Sequence, residues 1–259
     1  MKKNRFQEVL KAGAMPIGHM IMEFGTRGIP RILDSTGLDF VLFDMEHSGI
    51  DNDRIADILA GCYGTSFAPF VRVPSSLYHF IARVLDAGAL GIMVANVETA
   101  QQARDIVSHA KYPPQGHRGL GLGTAHNDYT MPDPPVYLKE ANDATTIICQ
   151  IESSLGVSNC EEIAAVPGVD VLWVGHFDLS ASMGIVNQFQ HPAFLAAMKR
   201  VSEAAKANGK AAGIQPGNWD QAQHWAALGY NVLSWQSDIA LYRGALQAAV
   251  TKLATFRDR

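Results

Sequence analysis

Short, continuously apolar runs alternate along the chain with windows whose apolar residues recur every three to four positions. The runs read as strands at residues 14–22, 40–44, 69–73, 91–95, 146–152, 169–175, 210–214 and 230–235. The windows read as helices at 29–35, 52–60, 77–86, 98–109, 158–166, 192–208, 219–228 and 241–256. Pro192 opens the sixth of these helices and Gly209 follows its end, the usual start and stop chemistry. The strand runs do not alternate apolar with polar, as expected where both faces are buried. Eight strand–helix units predict an α/β fold closed into an eight-stranded parallel (β/α) barrel rather than an open doubly wound sheet.

One stretch interrupts the rhythm. Residues 111–142 are rich in Pro and Gly and exceed an ordinary connection, so they predict a functional loop or an oligomer contact. No linker divides the chain, and residues 1–259 are expected to form a single barrel domain. The length of 259 residues matches the roughly 250 of an eight-fold barrel. With 47% hydrophobic and 18% charged residues, the chain can build a large core and is not a disordered one.

Charge narrows the possible partners. The net charge is −4, with both signs spread along the chain. There is no basic stripe for nucleic acid and no polybasic run for an anionic membrane. Neither a secretory leader nor an apolar run of about 18 residues is present. The three cysteines, Cys62, Cys149 and Cys160, have no disulfide or zinc spacing, which suits a reducing cytoplasm.

In a barrel of this kind, chemistry sits at the C-terminal ends of the strands. Strand five ends in Gln150 and Glu152, and strand six breaks into Gly175-His176-Phe177-Asp178. Carboxylates at the matching ends of neighbouring parallel strands, about 4.8 Å apart, could grip one hard cation such as Mg²⁺ or Mn²⁺. Helix capping is the competing role for Asp178. Gln150 could bond to the metal shell or to substrate. Arg72 lies in an apolar strand, where a charge is costly to bury unless an anion meets it. That anion is either a ligand or Asp44 or Glu46, in the run Asp44-Met45-Glu46-His47 that ends strand two. His47, beside two carboxylates, is either a general base or structural. Strand eight ends in Ser234, Gln236 and Asp238. His176 is either a proton donor or a loop residue. Gly116–Gly123 lacks the spacing and the Lys-Ser/Thr of a phosphate-binding loop.

Six motifs occur in order: Asp44-Met45-Glu46-His47, Pro69-Phe70-Val71-Arg72, Leu85-Asp86-Ala87-Gly88, Arg118-Gly119, Gln150-Ile151-Glu152 and Gly175-x-x-Asp178-Leu179-Ser180. Together they resemble the HpcH/HpaI aldolase/citrate lyase family over nearly the whole chain. The resemblance implies a class II aldolase that makes or cleaves a 4-hydroxy-2-oxo acid, giving pyruvate or a related 2-oxo acid plus an aldehyde. A citrate lyase- or citrate synthase-like reaction on oxaloacetate or a CoA thioester is the alternative within the same superfamily. It implies Glu152 and Asp178 as ligands of Mg²⁺, Mn²⁺ or Co²⁺, Arg72 as the group that holds the 2-oxo acid and its enolate, and His47 oriented by Asp44 as an acid/base dyad. Gln150 and the turn Gly175–Asp178 would bind substrate, with the amides of Phe177 and Asp178 meeting its carboxylate. Asp86 would reach a neighbouring subunit's site. The expected assembly is a hexamer, a trimer of dimers, with the last helix exchanged between subunits. Where well-known members carry Gly-Pro-Ala-Asp, this chain carries Gly175-His176-Phe177-Asp178, which bears on the substrate.

Overall fold

A computed structural model describes residues 2–257. The chain begins with α1 (Arg5–Lys11), β1 (Ile17–Ile21), α2 (Ile29–Asp34), β2 (Phe40–Asp44), α3 (Asn52–Cys62), β3 (Ala68–Val73), α4 (Tyr78–Asp86), β4 (Gly91–Val94) and α5 (Ala100–Ala110). After a 3₁₀ turn at Ala125–Asn127 come α6 (Pro134–Ala144), β5 (Thr146–Ile151), α7 (Ser154–Ser158), α8 (Cys160–Ala164), β6 (Val171–Val174) and α9 (His176–Ser182). The last elements are α10 (Pro192–Ala207), β7 (Ala211–Ile214), α11 (Trp219–Ala227), β8 (Val232–Ser237) and α12 (Asp238–Ala254). The eight strands close in sequence order into one parallel barrel, with β8 pairing back onto β1.

Strand side chains alternate between the barrel interior and the surrounding helices. Outward residues such as Val41, Phe43, Val71, Cys149 and Leu172 pack with the helices in one large cluster. Inward residues such as Phe40, Leu42, Phe70, Ile148 and Trp173 fill the barrel. Bulky rings fit there because glycines face them. A Cβ on Gly18 would come within 2.4 Å of the Phe40 ring, and one on Gly213 within 2.1 Å of Trp173. The same parity, carried to the strand ends, turns Asp44, Arg72 and Gln150 inward at one mouth of the barrel.

The opposite mouth is plugged by α1. Phe6 is 1% exposed, with its ring centroid 5.2 Å from Phe40 and 5.1 Å from Phe70. Asn4 caps α1 and also donates to the Ala144 carbonyl at 2.7 Å and the Thr146 hydroxyl at 3.0 Å. Nothing in the hydrophobic pattern anticipates this helix.

Several elements depart from the sequence reading. The helix expected over 158–166 is two short ones, α7 and α8, divided at Asn159. The 111–142 stretch is not all loop, because α6 forms in its second half. Its two prolines occupy the first turn, where no amide partner is needed, and Asp133 caps it. The last helix begins at Asp238 rather than Leu241, capped by Ser237. Along α12 only Asp238 is buried, while Leu241, Leu246, Val250 and Leu253 are exposed. No helix among the described residues is long and apolar enough to cross a membrane. The three cysteines are free and buried.

Candidate active site

β2 and β3 pair with Asp44 opposite Arg72. That register sets the Arg72 guanidinium against the Asp44 carboxylate, Nε to Oδ1 at 2.7 Å. Nη1 lies 3.3 Å from Glu46 Oε2. The internal ion pair that competed with ligand binding is therefore formed. It leaves Nη2 without a protein partner among the described residues, and the side chain lines a cavity of about 440 Å³. Burial disfavours the Arg72 cation, but the Asp44 hydrogen bond and charge outweigh it, so its pKa rises above the ordinary value. Asp44 is fully buried. Burial pushes its carboxyl up, and Arg72 together with the Glu46 and His47 amides pulls it below the usual range.

The expected Asp44–His47 side-chain dyad is not formed. The chain turns inward after β2, so the His47 backbone amide, not its imidazole, donates to Asp44 at 3.1 Å. The imidazole is mostly exposed, and the nearest acid to its Nε2 is Glu46, at 3.8 Å. Burial raises Glu46, against the charges of Arg72 and His47 and with those of Asp44 and Asp178. Its buried Oε2 has no hydrogen-bond partner.

Across the mouth, Glu152 accepts from the Asn96 amide at 2.7 Å and from the Gln150 side chain. Burial pushes its carboxyl up to about 7, against those two hydrogen bonds, and the charges of Glu46 and Asp178 add to the rise. Asp178 sits in the first turn of α9, exposed, on the cavity wall. Gly175, not Asp178, is the N-cap of α9, and the Asp178 carboxylate makes no hydrogen bond or ion pair among the described residues. The capping role is thus not the one it fills. A Cβ on Gly175 would fall 2.1 Å from Glu152 Oε2, so a larger residue there would push the Glu152 carboxylate out of its place.

These residues fit a hard divalent cation. The Glu152 carboxylate, which burial and the neighbouring charges push up to about 7, lies beside a buried Gln150 Oε1 that has no partner among the described residues. A positive ion resolves both the repulsion and the orphaned oxygen. No group of three or more His, Cys, Asp or Glu is arranged for a metal among the described residues, so substrate and water oxygens would complete such a shell.

Other residues singled out in the sequence lie elsewhere or act structurally. Asp86 ends α4 at the far end of the barrel, half-exposed and bonded by Arg118, outside this chain's own cavity. Asp238 accepts the amides of Met22, Glu23 and Phe24 at 3.1, 2.9 and 2.7 Å and ties down the loop after β1. Gln236 donates to the Gly217 carbonyl at 2.6 Å. Ser234 is buried. His176 is buried among Phe177, Phe189 and Trp225, which lowers its pKa to about 4. Phe177 stands 57% exposed on the cavity wall. Two contributors gave no sequence signal. Asn96 acts through its main chain, and Gln215 reaches the cavity from the loop after β7.

Known proteins resemble this chain in sequence and in fold. The family model described as HpcH/HpaI aldolase/citrate lyase matches residues 28–245. A 5-keto-4-deoxy-D-glucarate aldolase from Klebsiella pneumoniae subsp. pneumoniae is 34% identical over 245 residues, 94% of each chain. The crystal structure of an HpcH/HpaI aldolase from Desulfitobacterium hafniense DCB-2 superposes with TM-score 0.90 at 30% identity, covering 95% of each chain. The citrate synthase SbnG superposes with TM-score 0.87 at 26% identity, covering 98% of each chain.

Proposed function

The chain belongs to the HpcH/HpaI aldolase/citrate lyase family, and from that premise we propose that its barrel mouth cleaves or forms a 4-hydroxy-2-oxo acid, yielding pyruvate or a related 2-oxo acid and an aldehyde. It is a carbon–carbon lyase. The observation that carries the site assignment is the Arg72 fork. It is locked by buried Asp44, keeps a nitrogen unpartnered among the described residues, and lines the same cavity as Gln150 and Asp178.

In the cleavage direction the C4 hydroxyl gives up its proton and the C3–C4 bond breaks. The electron pair moves through C2 onto the keto oxygen, and the C4 fragment leaves as an aldehyde. The resulting enolate takes a proton at C3 and becomes the 2-oxo acid. Charge grows on the C2 oxygen, and a fixed guanidinium aimed there lowers the barrier more than it stabilises bound substrate. Arg72 fills that role, because Asp44 orients it before substrate arrives. His47 is the base for the hydroxyl proton. Its imidazole is accessible at the cavity, with Glu46 Oε2 3.8 Å from its Nε2. Gln150 fixes Glu152 and orients the bound acid. A Mg²⁺, Mn²⁺ or Co²⁺ ion held by Glu152 and Asp178 would supply Lewis-acid polarisation of the keto oxygen.

The exposed apolar residues of α12 support a homo-oligomer in which this helix is covered by another copy, as in a hexamer with exchanged helices. The three free, buried cysteines support a reducing cytoplasm. A reaction on oxaloacetate or a CoA thioester has weaker support, since the aldolase relatives match this chain more closely than the citrate synthase does. Pyruvate release from a 4-hydroxy-2-oxo acid, measured before and after stripping with EDTA, tests the reading. Activity is expected to vanish and to return with Mg²⁺, Mn²⁺ or Co²⁺. Turnover that survives complete metal removal rules out the metal-dependent class.

A further inference from the structure

We propose that the acceptor half of this cavity takes an uncharged aldehyde with an apolar body, seated against Phe177. This deepens the aldolase reading and rests on it. The cavity, about 440 Å³, is larger than a three-carbon acid fills, and its walls differ in kind. Its lining includes Arg72, Gln150 and Asp178, the groups assigned to the 2-oxo acid. It also includes an apolar wall, Met20, Met22, Phe177, Pro216 and Ala240, with Gln215 as a neutral amide.

Phe177 is the centre of that second wall. It is 57% exposed, yet it is not loose. Its ring meets Phe189 edge-on at 5.2 Å and 84°, and leans on His176 at 4.4 Å. His176 and Phe189 in turn pack on Trp225, at 5.0 and 6.4 Å. A cluster of buried and half-buried rings therefore holds one ring out at the cavity wall, an apolar platform whose outer face no described residue covers. A residue that only filled the core would be covered.

Charge excludes the other class of acceptor. Among the described residues lining the cavity, Arg72 is the one permanently charged cation, and it already faces Asp44 and Glu46. Asp178 lines the same space. The 2-oxo acid brings one carboxylate. An aldehyde acid would bring a second, and beyond Arg72 and the ion that Glu152 and Asp178 would hold, both committed to the 2-oxo acid, no Lys or Arg among the described lining residues is left to meet it.

The experiment uses the purified full chain with Mn²⁺ and pyruvate, and compares condensation with benzaldehyde and with succinic semialdehyde. The expected kcat/KM is at least tenfold higher for benzaldehyde. Phe177→Ala is expected to erode that ratio mainly through the KM for benzaldehyde. Gln215→Arg, which adds a cation to the apolar wall, is expected to shift the ratio at least tenfold toward succinic semialdehyde. Equal or better use of succinic semialdehyde by the wild type overturns the proposal. Efficient cleavage of 5-keto-4-deoxy-D-glucarate does the same, as does a ratio that neither variant moves. Exchange of the pyruvate methyl protons in D₂O needs no aldehyde and separates the two levels. Exchange combined with acid preference sinks only the acceptor assignment, whereas absence of exchange in the wild type sinks the aldolase reading as well.

Discussion

Arg72 and Asp44 are one unit rather than a ligand-binding residue with a neighbour. A buried guanidinium needs a counter-charge, and a buried carboxylate needs donors, and each supplies the other. Asp44 also accepts the Glu46 and His47 amides, so it fixes the path of the chain after β2. Asp44→Asn is expected to cost about 2–3 kcal/mol near pH 7, the range for a hydrogen bond to a charged group. Because the folded Asp44 pKa lies below its ordinary value, its contribution is complete above about pH 3.9 and fades as the pH falls through the folded value. Melting temperatures followed against pH should show a gap between wild type and variant that narrows below about pH 4. A gap that widens in acid contradicts this account. Arg72, Gln150 and Glu152 were legible as site residues because a polar side chain ending an apolar strand is conspicuous. The contact between Asp44 and the His47 amide was not, since it depends on the path of a turn. Nor was Asn96, which offers only a main-chain group that every residue has.

Among the elements, strands buried on both faces announce themselves, and all eight lie where the apolar runs put them, with ends shifted by at most three residues. The helices that escaped detection had misleading signals. Pro134 and Pro135 look like loop residues but occupy a helix's first turn, where proline is at home. α1 is short and polar, and its one fully buried residue, Phe6, gains meaning only from the barrel it plugs. Phe6→Ala should lose about 3–5 kcal/mol in urea unfolding, the usual cost of emptying an aromatic site in a packed interior. A loss under about 1 kcal/mol would mean the barrel floor collapses to fill the space.

Over the molecule as a whole, one mouth of the barrel carries charge and the other is sealed with aromatic rings. The barrel class followed from the strand count alone, whereas assembly did not, because exposed apolar residues on a terminal helix show only once the helix is seen without a partner. α12 presents Leu241, Leu246, Val250 and Leu253 to solvent. Leu246→Asp should shift the chain to a smaller species by size exclusion with light scattering, while circular dichroism keeps the barrel signal. An unchanged mass would place the subunit contact on another face.

The plug at the barrel floor also bears on time. α1 precedes every strand of the barrel along the chain, but its partners are Phe40, Phe70 and, through Asn4, Ala144 and Thr146, the last two well over a hundred residues later. Until those segments meet, Phe6 has nowhere to go, and closing so long a span is slow. A helix that precedes all eight strands is then among the last elements to lock. In pulse-labelled hydrogen exchange during refolding, the amides of α1 should gain protection after those of β2 and β3, and simultaneous or earlier protection would refute this order.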